Sequence, residues 1–154
     1  MSGIIGGTGS KSGVIGTTEL DYEEGTHTVV HKQSDGTSFA MDGSYQTLKY
    51  TKIGRLVHCT GWIIVGAITG TMAHTKFSLP FTCATIAGTS AGFTGTQNVL
   101  TYSVYYGGDG ASVYVGNNQD HCQCISSRDN NTYAHIPAVL NDEYGLSITY
   151  FTDA

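Results

Sequence analysis

The feature that most constrains this chain is a period of two. From Thr26 onward the sequence breaks into short runs in which apolar and polar residues alternate, each closed by Gly, Asn, Asp or Pro. Alternation puts successive side chains on opposite faces of an extended chain, so these runs predict half-buried β-strands. Eleven fit the pattern: 26–33, 38–41, 45–51, 56–65, 76–79, 82–87, 98–106, 112–115, 121–126, 132–136 and 144–151. In the last, Leu146, Ile148 and Tyr150 share one face and Ser147, Thr149 and Phe151 the other, as in an antiparallel strand with one buried side. The run from Leu56 to Val65 is apolar on both faces near its end, which predicts a central strand. Gly61 inside it predicts a bulge or a close backbone approach. No segment shows a competing helical period. Eleven strands exceed a simple hairpin stack, so the expected fold is an all-β antiparallel β-sandwich, a jelly roll being one such arrangement.

Composition agrees and narrows the function classes. Thr and Gly each supply 21 of the 154 residues, while Leu appears 7 times and Pro twice. Coiled coils and helical bundles need more Leu, Ala, Glu and Lys at helical period, and collagen needs periodic Gly with abundant Pro. With 40% hydrophobic and 10% aromatic residues the chain can build a core, and its length suits one domain. The net charge is −5 and no run of Lys or Arg occurs, so nucleic acid is not an expected partner. The most apolar stretch, Trp62 to Ile68, is far shorter than the roughly 20 residues of a membrane helix, and no membrane partner is expected. The first residues lack the basic start and continuous apolar core of a secretory signal.

Residues 1–18 differ from everything after them. They hold six glycines, no aromatic residue and a near-repeat, Ser2-Gly3-Ile4-Ile5-Gly6 and Ser12-Gly13-Val14-Ile15-Gly16. So Gly-rich a segment cannot fold alone, yet its apolar pairs would be wasted on a solvated linker. It reads as an extended N-terminal arm (1–18) ahead of a sandwich domain (19–154), with Ile4, Ile5, Val14 and Ile15 as plugs against a partner. Tyr102, Tyr105 and Tyr106 crowd one run before the turn Gly107-Gly108-Asp109-Gly110. Such density serves cross-strand packing, a subunit interface or surface recognition.

The residues offer little catalytic chemistry. Asp21, Glu23 and Glu24 fall within four consecutive positions, so they cannot flank a substrate bond as paired glycosidase carboxylates do; they read as a solvated turn. Asp109, Asn117, Asn118 and Asp120 match no calcium loop. Cys122 and Cys124 would share one face of a strand but lack a second ligand pair for zinc, so all four cysteines, with Cys59 and Cys83, read as reduced core thiols. Six histidines, at 27, 31, 58, 74, 121 and 135, accompany no Gly-x-Ser-x-Gly turn. The stretch Gly6 to Ser12 lacks the Gly-Lys-Ser/Thr ending of a phosphate loop. No catalytic residue, cofactor or resident metal is expected, and the chain is not expected to be an enzyme.

Three segments together resemble a known module. Leu20-Asp21-Tyr22-Glu23-Glu24-Gly25-Thr26-His27-Thr28 resembles the "D-Y-E-E-G-T-W-T-P" opening of a β-domain found in tailed-bacteriophage tail-fibre and other virion proteins. Tyr50-Thr51-Lys52-Ile53-Gly54-Arg55-Leu56-Val57 is similar to its "Y-T-K-I-G-R-L-V" segment, and Phe77-Ser78-Leu79-Pro80-Phe81 to its "I-S-L-P-F" strand end. Order and approximate spacing agree over Leu20 to Phe81. The departures are His27 in place of the usual aromatic and Val29 in place of the Pro, which predict different packing at the first strand.

The resemblance implies a virion structural protein, made in the host cytoplasm, with no enzymatic signature. An arm of 18 residues spans about 60 Å at roughly 3.3 Å per residue, too little for a fibre shaft, so the domain is expected to dock close to a larger surface. One expectation is a capsid decoration or cement protein, its arm on the major capsid protein and its β-domain a homo-oligomer, a trimer by the resemblance. The other is a small tail-fibre or receptor-binding protein contacting host surface glycans.

Overall fold

A computed structural model describes residues 21–32, 38–39, 41–67, 73–85, 97–98, 100–102, 110–127 and 132–153. The strands are β1 (Tyr22–Thr28), β2 (His31–Lys32), β3 (Ser38–Phe39), β4 (Met41–Ile53), β5 (Leu56–Val65), β6 (Lys76–Ser78), β7 (Gln97–Asn98), β8 (Leu100–Tyr102), β9 (Gly110–Val115), β10 (His121–Ser127), β11 (Ala134–His135) and β12 (Glu143–Phe151). They form two antiparallel sheets, one of five strands in the order β1-β4-β5-β12-β8 and one of seven in the order β3-β2-β6-β10-β9-β7 with β11 beside β10. The sheets pack face to face, so the expected β-sandwich is what the structure shows. Among the described residues no helix is long and apolar enough to cross a membrane.

Alternation builds the core as the period predicts. β12 buries Tyr144, Leu146, Ile148 and Tyr150, and β5 buries Val57, Cys59, Ile63 and Val65. Against them the seven-stranded sheet sets Phe77, Val113, Val115, Cys122 and Cys124, with Phe77 edge-on to Tyr144 at 5.1 Å between ring centroids. β5 is the middle strand of its sheet, as its two apolar faces predict. Of the two roles foreseen for Gly61, close approach is the one observed: a Cβ there would lie 2.6 Å from the Thr47 carbonyl oxygen. The register shift sits instead in β4, between Met41 and Gln46.

Three expectations are corrected. The run 26–33 is not one strand: β1 ends at Thr28 in one sheet and β2 begins at His31 in the other. The acidic run is not a turn: Tyr22 to Thr28 pair residue for residue with Ile53 to Thr47, so Glu23 and Glu24 lie on an edge strand. Charge on an edge strand discourages pairing with another sheet, which reconciles the composition with the conformation. The run 82–87 is not a strand over its described part; it makes one bridge, Cys83 with Thr152. There Cys83 N donates to Gln119 O in the β9–β10 turn and Ala84 N to Phe151 O in β12, so successive donors go to different partners and no ladder grows.

All four cysteines are free and buried. Burial pushes the Cys59 and Cys122 thiols up to about 12 and the Cys124 thiol well above its usual range, so none is a thiolate near neutrality.

Candidate functional site

The three segments that resemble the phage module meet at one end of the sandwich. β1 lies against the end of β4, where the Lys52 ammonium stands 2.5 Å from the Asp21 carboxylate and the Tyr50 hydroxyl donates to Glu23 Oε1 at 2.6 Å. The Tyr50 ring lies across Gly25, where an added Cβ would fall 2.5 to 2.8 Å from it, so the ring keeps this place only over a residue without a side chain. Phe81, from the third segment, stands edge-on to Tyr50 at 5.2 Å and beneath the Lys52 ammonium at 6.0 Å. Tyr150 fastens Phe81 twice, accepting from its N–H at 3.2 Å and donating to its carbonyl at 3.0 Å. Arg55, in the β4–β5 turn, donates to Thr152 O at 3.0 Å and reaches Asp153.

The departures from the module also have a place. His27 is half-buried, and its Nε2 lies 2.8 Å from Ser78 Oγ, which accepts the Val30 N–H at 3.0 Å. Val29 is buried. These contacts hold the chain where it leaves β1 in one sheet to begin β2 in the other, and burial lowers the His27 pKa.

Register arranges the outer face of the five-stranded sheet in rows. The outermost is apolar: Tyr22 pairs Ile53, Ile53 pairs Leu56 and Leu56 pairs Phe151. All four are exposed, at 52%, 44%, 39% and 42%, so one apolar ridge crosses four strands. The next rows are polar, Glu24-Thr51-His58-Thr149 and Thr26-Lys49-Thr60-Ser147. Over them lies a groove of about 380 Å³, lined by Glu24, Thr26, Lys49, Thr51, His58 and Thr60 along with Gly25 and Tyr50. His58 Nδ1 lies 3.0 Å from Thr149 Oγ1, and Tyr22 donates its hydroxyl to Glu24. The groove combines hydroxyls, a carboxylate, an ammonium and an imidazole, the donor and acceptor mixture that a polyhydroxylated ligand can use.

The seven-stranded sheet gathers histidines instead. His31 is fully buried, its Nε2 accepting from Lys76 N at 3.2 Å, and burial pulls its pKa down to about 4. His74 and His135 stack at 3.8 Å with a 34° tilt, and Tyr133 stands edge-on to His135. Burial lowers both, and lowers His121, whose Nδ1 lies 3.0 Å from Asp120. Asp120 also pairs with Lys32, which holds its carboxyl below the usual range. Among the described residues no group of three or more His, Cys, Asp or Glu is placed to hold a metal.

The residues singled out from sequence divide sharply. Ile4, Ile5, Val14 and Ile15 lie outside the described residues, as do Tyr105, Tyr106 and Asp109. The Tyr102 backbone pairs with Glu143 in β8, and its side chain lies outside the description. Sequence reasoning missed the apolar row because its members come from four separate runs and only the register unites them. One signal was available: Phe151 is a large apolar residue on the polar face of its run.

In comparisons with known proteins, no family model and no curated protein matches the sequence.

Proposed function

We propose that the chain is a structural protein of a tailed-bacteriophage virion: a capsid decoration or cement protein that docks through residues 1–18 on the major capsid protein and forms a homo-oligomer, a trimer, through its β-domain. One observation carries this reading. The three segments resembling the phage module, far apart in sequence, form one contact cluster through Asp21–Lys52, Glu23–Tyr50, Gly25 under Tyr50, and Phe81 against Tyr50. Chance similarity of three short words gives no reason for them to converge in space, whereas a module does. Weak contacts from several arms of one oligomer would add up to firm attachment on a repeating lattice.

The test is rebinding to particles stripped of this protein. Changing Ile4 and Ile5 together to Ser should lower the bound amount at least tenfold while the domain stays folded. Unchanged binding contradicts the docking role of the arm. The tail-fibre reading has its own support in the polar groove between Glu24 and Thr60, and specific retention on host surface polysaccharide would favour it.

A further inference from the structure

The apolar row Tyr22-Ile53-Leu56-Phe151 is too small to hold two domains together. Aromatic side chains bury about 150–250 Å² each, so four large side chains roughly half exposed offer on the order of 350 Å². A stable pair of proteins buries about 800 Å² per partner. A patch of this size suits a short apolar segment, and the chain contains one close by. Asp21 is fixed beside the row, its carbonyl accepting the Gly54 N–H at 2.6 Å and its carboxylate held by Lys52. Gly54 lies in the turn between Ile53 and Leu56, the two middle members of the row. The pair Val14-Ile15 precedes Asp21 by only six residues.

We propose that the row is the seat of the Val14-Ile15 pair of its own chain. The reach is sufficient: six residues extend about 20 Å at roughly 3.3 Å each, and the row spans about 14 Å, three strand spacings of roughly 4.8 Å. β1 runs away from this end of the sheet, so the seat requires a reversal of the chain ahead of Asp21, and the sequence offers a glycine, Gly16, next to the pair. A tether this short gives the pair an effective concentration on the order of millimolar, which favours the chain's own arm over a neighbour's. Ile4-Ile5, ten residues further out, remains available to a partner, so of the two apolar pairs read as partner plugs the seat leaves only this one to the docking role. The seat stands or falls apart from the virion reading, because it concerns a single chain.

The experiment uses the full chain with Ile15→Cys and Leu56→Cys under mild oxidation. The native cysteines are buried and do not compete. The expected result is an intramolecular disulfide formed at least tenfold faster than in a control carrying Ile15→Cys and Tyr133→Cys, at a rate independent of protein concentration. Tyr133 is exposed and neighbours β11 of the other sheet. Equal rates in the two variants overturn the proposal, and so does a covalent dimer whose yield rises with concentration. A second readout adds no cysteine: Val14→Ser with Ile15→Ser should raise binding of a hydrophobic dye several-fold, and an unchanged signal also overturns the proposal.

Discussion

The two sheets share one core but are held together differently. The five-stranded sheet rests on long strands of seven to thirteen residues, β1, β4, β5 and β12, whose polar side chains pair across the outer face or at the solvated edge. The seven-stranded sheet is assembled largely from strands of two or three residues around buried or half-buried imidazoles. Nδ1 of His74 and of His135, and Nε2 of His121, are buried without a hydrogen-bond partner among the described residues. Burying such groups is tolerable only while they stay neutral. The first sheet therefore presents surfaces, and the second carries the molecule's sensitivity to acid.

Acid should produce the largest difference. The His31 pKa is lowered from an ordinary 6.5 to about 4 on folding, so the unfolded chain takes up its proton first. Its contribution is fully present above pH 6.5 and is lost as pH falls toward 4, a change of roughly 3 kcal/mol at 1.36 kcal/mol per pH unit. His74, His121 and His135 shift in the same direction and add to it, as does His27 of β1 where it meets Ser78 of β6. The urea midpoint should fall steeply over this window, and amide protection in β2, β6 and β10 should fail before that in β4, β5 and β12. Simultaneous loss in both sheets would erase the distinction.

Two glycines sharpen the comparison within the stronger sheet. Gly61→Ala places a methyl against the Thr47 carbonyl, which belongs to the backbone of β4 and cannot swing away, so a loss of about 2–3 kcal/mol is expected. Gly25→Ala meets the outer end of the Tyr50 ring, which can rotate toward solvent, so about 1 kcal/mol is expected. Thermal melts of both variants check the order. A larger effect at Gly25 would mean that the Tyr50-Glu23-Phe81 cluster governs stability more than the β4–β5 backbone contact does.

The same contrast decides what could be read before the structure. Leu56–Val65 is visible residue for residue because an alternating start and an apolar β-branched end leave no helical period, and in Tyr144–Phe151 the buried face follows directly. Strands such as His31–Lys32 or Ala134–His135 are too short to carry a period; distant partners create them. The acidic run looks like a turn because Glu-Glu-Gly is polar and flexible, and its strand character comes from β4, whose Tyr50 and Lys52 take up Glu23 and Asp21. The apolar row needs three registers at once, none of them written in any single segment.

Both sheets thus serve as a scaffold for one end of the sandwich, where the phage-like segments and the ridge come together. The functional account built on that end is tested most directly by counting the protein in purified virions with quantitative mass spectrometry. Decoration of a capsid lattice predicts on the order of hundreds of copies per particle, as repetition of one oligomer over a closed shell requires. A few dozen copies or fewer would contradict capsid decoration and place the protein in the tail.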